Sequence, residues 1–116
     1  MSTSSLQIAE VRSGRTMVLA LSGRIDSTNA DQLNICVSRH FSAGEKSLVV
    51  DFKEVLYLTS AAFRVLLVAT DEAERSAARF ALCGVIGQVR DLFEMGGLLD
   101  AFTIHASREA ALAQDG

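Results

Sequence analysis

The chain has 116 residues, which is enough for one compact domain and short for two. Hydrophobic residues make up 49% of it and charged residues 22%, so we expect a folded core and not a disordered chain. The formal net charge of -3 and the scattered Lys and Arg residues argue against nucleic acid as the main partner, because phosphate binding needs clustered positive charge.

The sequence lacks the usual marks of export and membrane insertion. The first ten residues, "MSTSSLQIAE", contain neither a basic region nor a long apolar region. No apolar stretch approaches the roughly 20 residues needed to span a bilayer. Cys36 and Cys83 lie 47 residues apart without a CxxC pair, so we expect buried free thiols and no metal site. These features predict a soluble protein of the reducing cytoplasm.

The first half of the chain predicts a hairpin, a helix and a buried strand. "LQIAEVR" (6–12) and "TMVLALSG" (16–23) are separated by the turn residues "SGR", which predicts a β-hairpin. "STNADQLNICVSRHF" (27–41) begins with capping residues and continues with apolar residues at helical spacing. The run "SLVVDFKEVLY" predicts a strand that is most buried over 47–52, with Asp51 close to a turn.

The second half alternates between helices and strands. Residues 60–76 predict a second helix, "RFALCGV" (79–85) a strand, and "GQVRDLFEMGG" (87–97) a helix ended by glycines. "AFTIH" (101–105) predicts an edge strand and "SREAALA" (107–113) a short helix capped by Ser107. This order predicts an α/β fold with a mixed, mostly parallel sheet of four or five strands and about four helices. We expect one domain over residues 1–116, with its core at about 6–112.

Two adjacent hydroxyl residues, Thr59 and Ser60, fall where the buried strand ends and the second helix begins. Either could cap the helix, because a helix N-terminus has unpaired N–H groups and the positive end of the helix dipole. On the helix surface opposite the apolar stripe lie Phe63 and Leu67, together with Ser60 and Arg64. An outward Phe and Leu predict a protein-docking surface, and cover by a neighbouring helix or loop is the alternative.

Ser60 is also a candidate for phosphorylation. A phosphate would add about -1.5 to -2 charges at neutral pH. The helix N-terminus would tolerate this charge, whereas an apolar partner on Phe63 and Leu67 would have to desolvate it. Arg64, one turn from Ser60, could pair with the phosphate or remain solvated.

Three stretches of the chain resemble the STAS domain family, and within it the bacterial anti-sigma factor antagonists. "LSGRIDSTNADQL" (21–33) is similar to a strand, loop and helix in which Gly, a variable residue, an apolar residue and Asp precede the helix. "LVVDFKEVLYLTSAAFRVLL" (48–67) resembles the strand and turn that usually read Asp-Ser-Ser/Thr-Gly. "VIGQVRDLFEMGGLLDAFTIHASREAAL" (85–112) resembles the late helix, the Gly-Leu turn and the last strand.

The resemblance implies a partner switch without a cofactor or catalytic residues. The unphosphorylated antagonist binds an anti-sigma factor that is also a serine kinase. Phosphorylation of one Ser ends this interaction, and a metal-dependent serine phosphatase reverses it. That Ser corresponds to Ser60, and a monomer is the expected state. The partner surface implied here and by the helix pattern comprises Asp26, Ser27, Thr59, Ser60, Phe63, Arg64 and Leu67.

The sequence also departs from the family pattern. Thr59 stands where Asp is usual, and Ala61-Ala62 replaces Ser/Thr-Gly, so Thr59 is a second, less favoured phosphate acceptor. Because STAS domains with degenerate sites include proteins that are never phosphorylated, an accessory or scaffold subunit, for example of a lipid transporter, remains an alternative. A small-ligand sensor around Asp26 and Ser60 is another. An enzyme is not expected, since the sequence has no GxSxG elbow and no P-loop.

Overall fold

The computed structural model describes residues 5–114, so the outermost residues of the predicted domain, 1–4 and 115–116, lie outside the described part. Within that part the chain forms five strands and four α-helices. In chain order these are β1 (Leu6–Ser13), β2 (Thr16–Ile25), α1 (Ala30–Ser42), β3 (Ser47–Leu58), α2 (Ser60–Arg75), β4 (Arg79–Cys83), α3 (Gly87–Met95), β5 (Ile104–His105) and α4 (Arg108–Ala113). A single 3-10 turn, Leu99–Ala101, precedes β5.

The strands form one sheet whose spatial order follows the chain, β1-β2-β3-β4-β5. β1 and β2 pair antiparallel around a turn in which Gly14 adopts a left-handed φ of 58°. The remaining neighbours, β2 with β3, β3 with β4 and β4 with β5, are parallel. The predicted α/β fold with a mixed, mostly parallel sheet and an N-terminal hairpin is therefore confirmed.

Two element boundaries differ from the sequence prediction. β3 continues to Leu58 because its second half pairs with β2, up to Ile25 beside Leu58, although β4 accompanies β3 only as far as Asp51. α1 begins at Ala30, after the predicted capping residues, and residues 26–29 form a tight turn ahead of it. β5 has only two residues, because the 3-10 turn occupies the start of the predicted strand.

The sheet is covered on both faces, because successive side chains of a strand point to opposite sides. α1, α2 and α3 cover one face and enclose the main core, which includes Leu33, Leu66 and Phe93. α4 covers the other face over a smaller cluster made of Val18, Val49, Ala81, Cys83 and Ala111. Cys36 and Cys83 are both buried free thiols, as predicted. Among residues 5–114, no helix has the length and apolar character needed to cross a membrane.

Phe93 on α3 is the centre of an aromatic cluster in the main core. Its side chain is fully buried, and its ring centroid lies 5.9 Å from Phe52, 4.9 Å from Phe63 and 5.8 Å from Phe102. The three interplanar angles, 85°, 86° and 75°, are close to the edge-to-face arrangement that aromatic pairs prefer. One side chain of α3 therefore contacts β3, α2 and the segment that leads into β5.

Candidate functional site

The candidate site lies at the edge of the sheet where the parallel strands β2 and β3 end. Asp26 directly follows β2, and Thr59 directly follows β3. The backbone N–H of Thr59 donates a hydrogen bond to the carbonyl oxygen of Ile25 at 3.0 Å. This contact brings the β2–α1 loop beside the first turn of α2, so the predicted loop and helix residues share one edge. Their role in partner binding stays a prediction.

Asp26 organises the β2–α1 loop through hydrogen bonds that it both accepts and donates. Its Oδ1 accepts hydrogen bonds from the N–H and the hydroxyl of Thr28, and its own N–H donates to Asn29 Oδ1 at 2.9 Å. Asp26 thus closes an Asx turn with Thr28, and together with the bond to Asn29 this holds the turn ahead of α1. The bonds from Thr28 lower the pKa of Asp26, so the carboxylate is ionised at neutral pH. Ser27 is exposed next to it.

The two hydroxyl residues at the β3–α2 junction have different surroundings. Ser60 is the first residue of α2 and is exposed, whereas Thr59 Oγ1 is buried and has no hydrogen-bond partner among the described residues. The prediction that Thr59 caps the helix through its hydroxyl is wrong, because that oxygen accepts no hydrogen bond from the helix N–H groups. The N–H of Ala62 instead donates to the backbone carbonyl of Thr59 at 2.9 Å.

The outward face of α2 differs from the prediction at one residue. Ser60 and Arg64 are exposed, and the side chain of Leu67 is 43% exposed. Phe63 is half-buried and packs against the core, with its ring edge-on to Phe93. The prediction that Phe63 projects outward is wrong because α3 places Phe93 against it. The neighbouring helix α3 covers Phe63, which was the alternative to an outward direction.

Sequence reasoning missed exposed apolar side chains on the two elements that meet at Ser60. Leu56 and Tyr57, at the end of β3, are 60% and 36% exposed, and Val68 on α2 is 47% exposed. The run was interpreted as a buried strand, but β4 ends beside Asp51 and leaves the second half of β3 without a neighbour on that side. Exposed apolar side chains of this kind are typical of a surface that binds another protein.

Asp51 also has an unexpected role, since it lies inside β3 and not at a turn. It is buried on the face that α4 covers, and its Oδ2 accepts a hydrogen bond from Arg108 Nε at 3.0 Å. Gly84, which has a φ of 67°, packs against the carboxylate. A Cβ at this position would lie only 2.6 Å from Asp51 Oδ1, so a larger residue would not fit. With Lys53 and Ser107 these residues line a cleft of about 320 Å³. The prediction that Asp51 supports a turn is therefore wrong.

Replacing Thr59 by Val is expected to leave the free energy of unfolding unchanged or to raise it by up to about 1 kcal/mol. A buried hydroxyl without a partner is costly, and Val keeps its shape while removing the polar atom. The extended backbone at this position, with φ -108° and ψ 177°, suits a β-branched residue. Urea denaturation followed by circular dichroism measures the change.

Thr16→Val is the matched control for this substitution. Thr16 is also buried, but its Oγ1 shares a hydrogen bond of 2.8 Å with Ser47 Oγ, so we expect a loss of about 1 to 2 kcal/mol. If Thr59→Val destabilised the protein as much as Thr16→Val, Thr59 Oγ1 would have to be hydrogen-bonded in solution, contrary to its surroundings here.

Known proteins with related sequences and folds agree with this architecture. Residues 7–111 match the STAS domain family. BtrV, a candidate anti-sigma factor antagonist of Bordetella bronchiseptica, is 33% identical over 97 residues, which cover 84% of this chain and 84% of BtrV. An anti-sigma factor antagonist from Mycobacterium paratuberculosis superposes with a TM-score of 0.85 at 20% identity, covering 95% of this chain and 93% of that chain.

The Bacillus cell fate determinant SpoIIAA, an anti-sigma factor antagonist, has the same fold in two forms. Its unphosphorylated form gives a TM-score of 0.80 at 22% identity, covering 94% of this chain and 96% of that chain. Its phosphorylated form gives a TM-score of 0.72 at 21% identity, covering 96% and 99%. From its sequence match over nearly its whole length, this chain belongs to the STAS domain family.

Proposed function

We propose that this protein is an anti-sigma factor antagonist that acts as a phosphorylation-controlled partner switch. In the unphosphorylated form it binds an anti-sigma factor with serine kinase activity, as a monomer in the cytoplasm. Phosphorylation of Ser60 releases the partner, and a metal-dependent serine phosphatase restores binding. The observation that carries this proposal is the exposed Ser60 at the first residue of a 16-residue helix, in a chain related to an anti-sigma factor antagonist.

The surroundings of Ser60 support its role as the phosphate acceptor. A kinase must reach the oxygen, and of the two adjacent hydroxyl residues Ser60 is exposed while Thr59 Oγ1 is buried. The first turn of α2 contains no acidic residue that would repel a phosphate. A dianion on Ser60 would therefore lie at the positive end of the helix dipole, where the folded protein tolerates it.

The exposed side chains around Ser60 support release of the partner by the same charge. Leu67 and Val68 on α2, and Leu56 near the end of β3, are exposed apolar groups that a partner would cover. A partner seated there would exclude water from the junction, and burying a phosphate dianion without compensating partners is costly. Arg64 is exposed one turn from Ser60, where it can pair with the phosphate in the free protein.

The test is to incubate the protein with ATP and its cognate kinase and to map the phosphate by mass spectrometry. We expect one phosphate on Ser60, its loss in Ser60→Ala, and its retention in Thr59→Val. Phosphate on Thr59 would contradict the assignment. An unmodified protein that still binds its partner would contradict the switch and favour the accessory or scaffold role.

A further inference from the structure

Three side chains with metal-binding chemistry meet between the hairpin and α1. They are Glu10 of β1 and Cys36 and His40 of α1, and one carboxylate oxygen, the thiol sulfur and one imidazole nitrogen all lie within 4.8 Å of one another. Cys36 and His40 are four residues apart, so they project from the same face of the helix. Sequence reasoning expected no metal site because it looked for a CxxC pair and overlooked this spacing.

The donor set matches one metal better than others. A thiolate, an imidazole and a carboxylate are the three ligand types that Zn²⁺ takes in proteins. Ca²⁺ and Mg²⁺ select oxygen ligands, so a buried sulfur disfavours them. Three protein ligands leave a fourth tetrahedral position for water.

A second layer of charged residues orients two of the three ligands. Nε2 of His40 lies 2.6 Å from Glu10 Oε1, while its Nδ1 faces Glu45 Oε2 at 3.7 Å. Glu45 is itself held by Arg12 through two hydrogen bonds of 2.7 Å. Glu45 thus lies at ion-pair distance on the side of His40 from which a carboxylate supports a zinc ligand. Arg39 donates to the other oxygen of Glu10, Oε2, at 2.9 Å and to Cys36 Sγ at 3.8 Å, and it leaves Oε1 directed at the cluster.

Two of the three ligands are largely buried, and the third, Glu10, is open to solvent. Cys36 is 7% exposed and the His40 side chain is 12% exposed, which limits competition by water. The Glu10 side chain is 39% exposed, and a cavity of about 530 Å³ lined by Ile8, Ile35 and Cys36 opens beside it. An ion therefore has a path to ligands that are otherwise shielded.

We propose that Glu10, Cys36 and His40 bind one Zn²⁺ ion, which fastens the hairpin to α1. On binding, the thiol of Cys36 releases its proton to solvent and the sulfur donates a lone pair to the ion. Within α1, His40 lies ten residues from Ala30, or about 15 Å along the helix at 1.5 Å per residue, and Cys36 lies about 9 Å from Ala30. None of the three ligands belongs to the predicted partner surface, so zinc binding can be measured whether or not Ser60 is phosphorylated.

The test uses the metal-free protein titrated with Zn²⁺ in a calorimeter and with Co²⁺ in a spectrophotometer. We expect one Zn²⁺ per chain, a higher midpoint of thermal unfolding with zinc, and a thiolate-to-cobalt charge-transfer band. Cys36→Ser and His40→Gln should each weaken Zn²⁺ binding by at least about tenfold, and Glu45→Gln by about tenfold.

The chain contains its own matched controls, since Cys83 and His105 are its second cysteine and second histidine. Cys83→Ala and His105→Gln should bind Zn²⁺ as the unaltered protein does, with circular dichroism to establish folding of every variant. Absence of the charge-transfer band in the unaltered protein would overturn the proposal without any variant. Zn²⁺ binding that survives Cys36→Ser, or that Cys83→Ala removes, would overturn it as well.

Discussion

Replacing Phe93 by Ala is expected to lower the free energy of unfolding by about 4 kcal/mol, near the middle of the range for a fully buried Phe. The substitution removes a ring that contacts Phe52, Phe63 and Phe102 at once, so it leaves a cavity and ends three edge-to-face contacts. Because these partners belong to separate segments, the cavity cannot close by movement of one side chain. Urea denaturation followed by circular dichroism measures the loss.

Met95→Ala is the control for this substitution, since Met95 is on the same helix and 83% exposed. It should change the stability by no more than about 0.5 kcal/mol. The pair Phe63→Ala and Phe93→Ala should be less than additive, because the two rings share a contact. A loss below about 1 kcal/mol for Phe93→Ala would contradict the central position of this ring.

Ser60→Asp is expected to weaken binding of the anti-sigma factor about a hundredfold, or about 2.8 kcal/mol at 1.4 kcal/mol per factor of ten. The carboxylate imitates part of the phosphate charge, and a bound apolar partner would hold it away from water. The fold should remain intact, since an acidic residue in the first turn of a helix is favourable. Isothermal titration calorimetry with the purified partner measures the affinity.

Two further variants separate a local effect from a general effect of charge. Ser42→Asp makes the same change at an exposed position at the far end of α1, so it should leave the affinity unaltered. Leu67→Asp places a charge on an exposed apolar residue of α2 and should also weaken binding. Equal affinities of the Ser60→Asp variant and the unaltered protein would rule out release by charge at this position.

The order of the elements could be predicted because each one has a clear local pattern. The hairpin follows from two apolar runs around "SGR", and the parallel part follows from strands that alternate with amphipathic helices. Ser60 was placed at the start of α2 for the same reason, since the change from strand to helix periodicity falls at this residue. Only the ends of elements differ from the prediction, as at the end of β3 and the start of β5.

The side-chain contacts could not be predicted because they join residues that are distant in sequence. The direction of Phe63 depends on Phe93, which lies 30 residues later on another helix. The pairing of Asp51 with Arg108 depends on which face of the sheet α4 covers. Helical spacing identifies Cys36 and His40 as neighbours, but only the fold brings Glu10 of the hairpin to them.

The sequential order of the strands has a consequence for the growth of the chain during translation. Each new strand from β2 to β5 joins the edge that the previous strand left open, so no late strand has to be inserted between two earlier ones. Most pairings therefore close short loops, which favours fast folding. The β1–β2 hairpin and β3 can associate while the ribosome is still making α3, and the nascent sheet never has to be reopened.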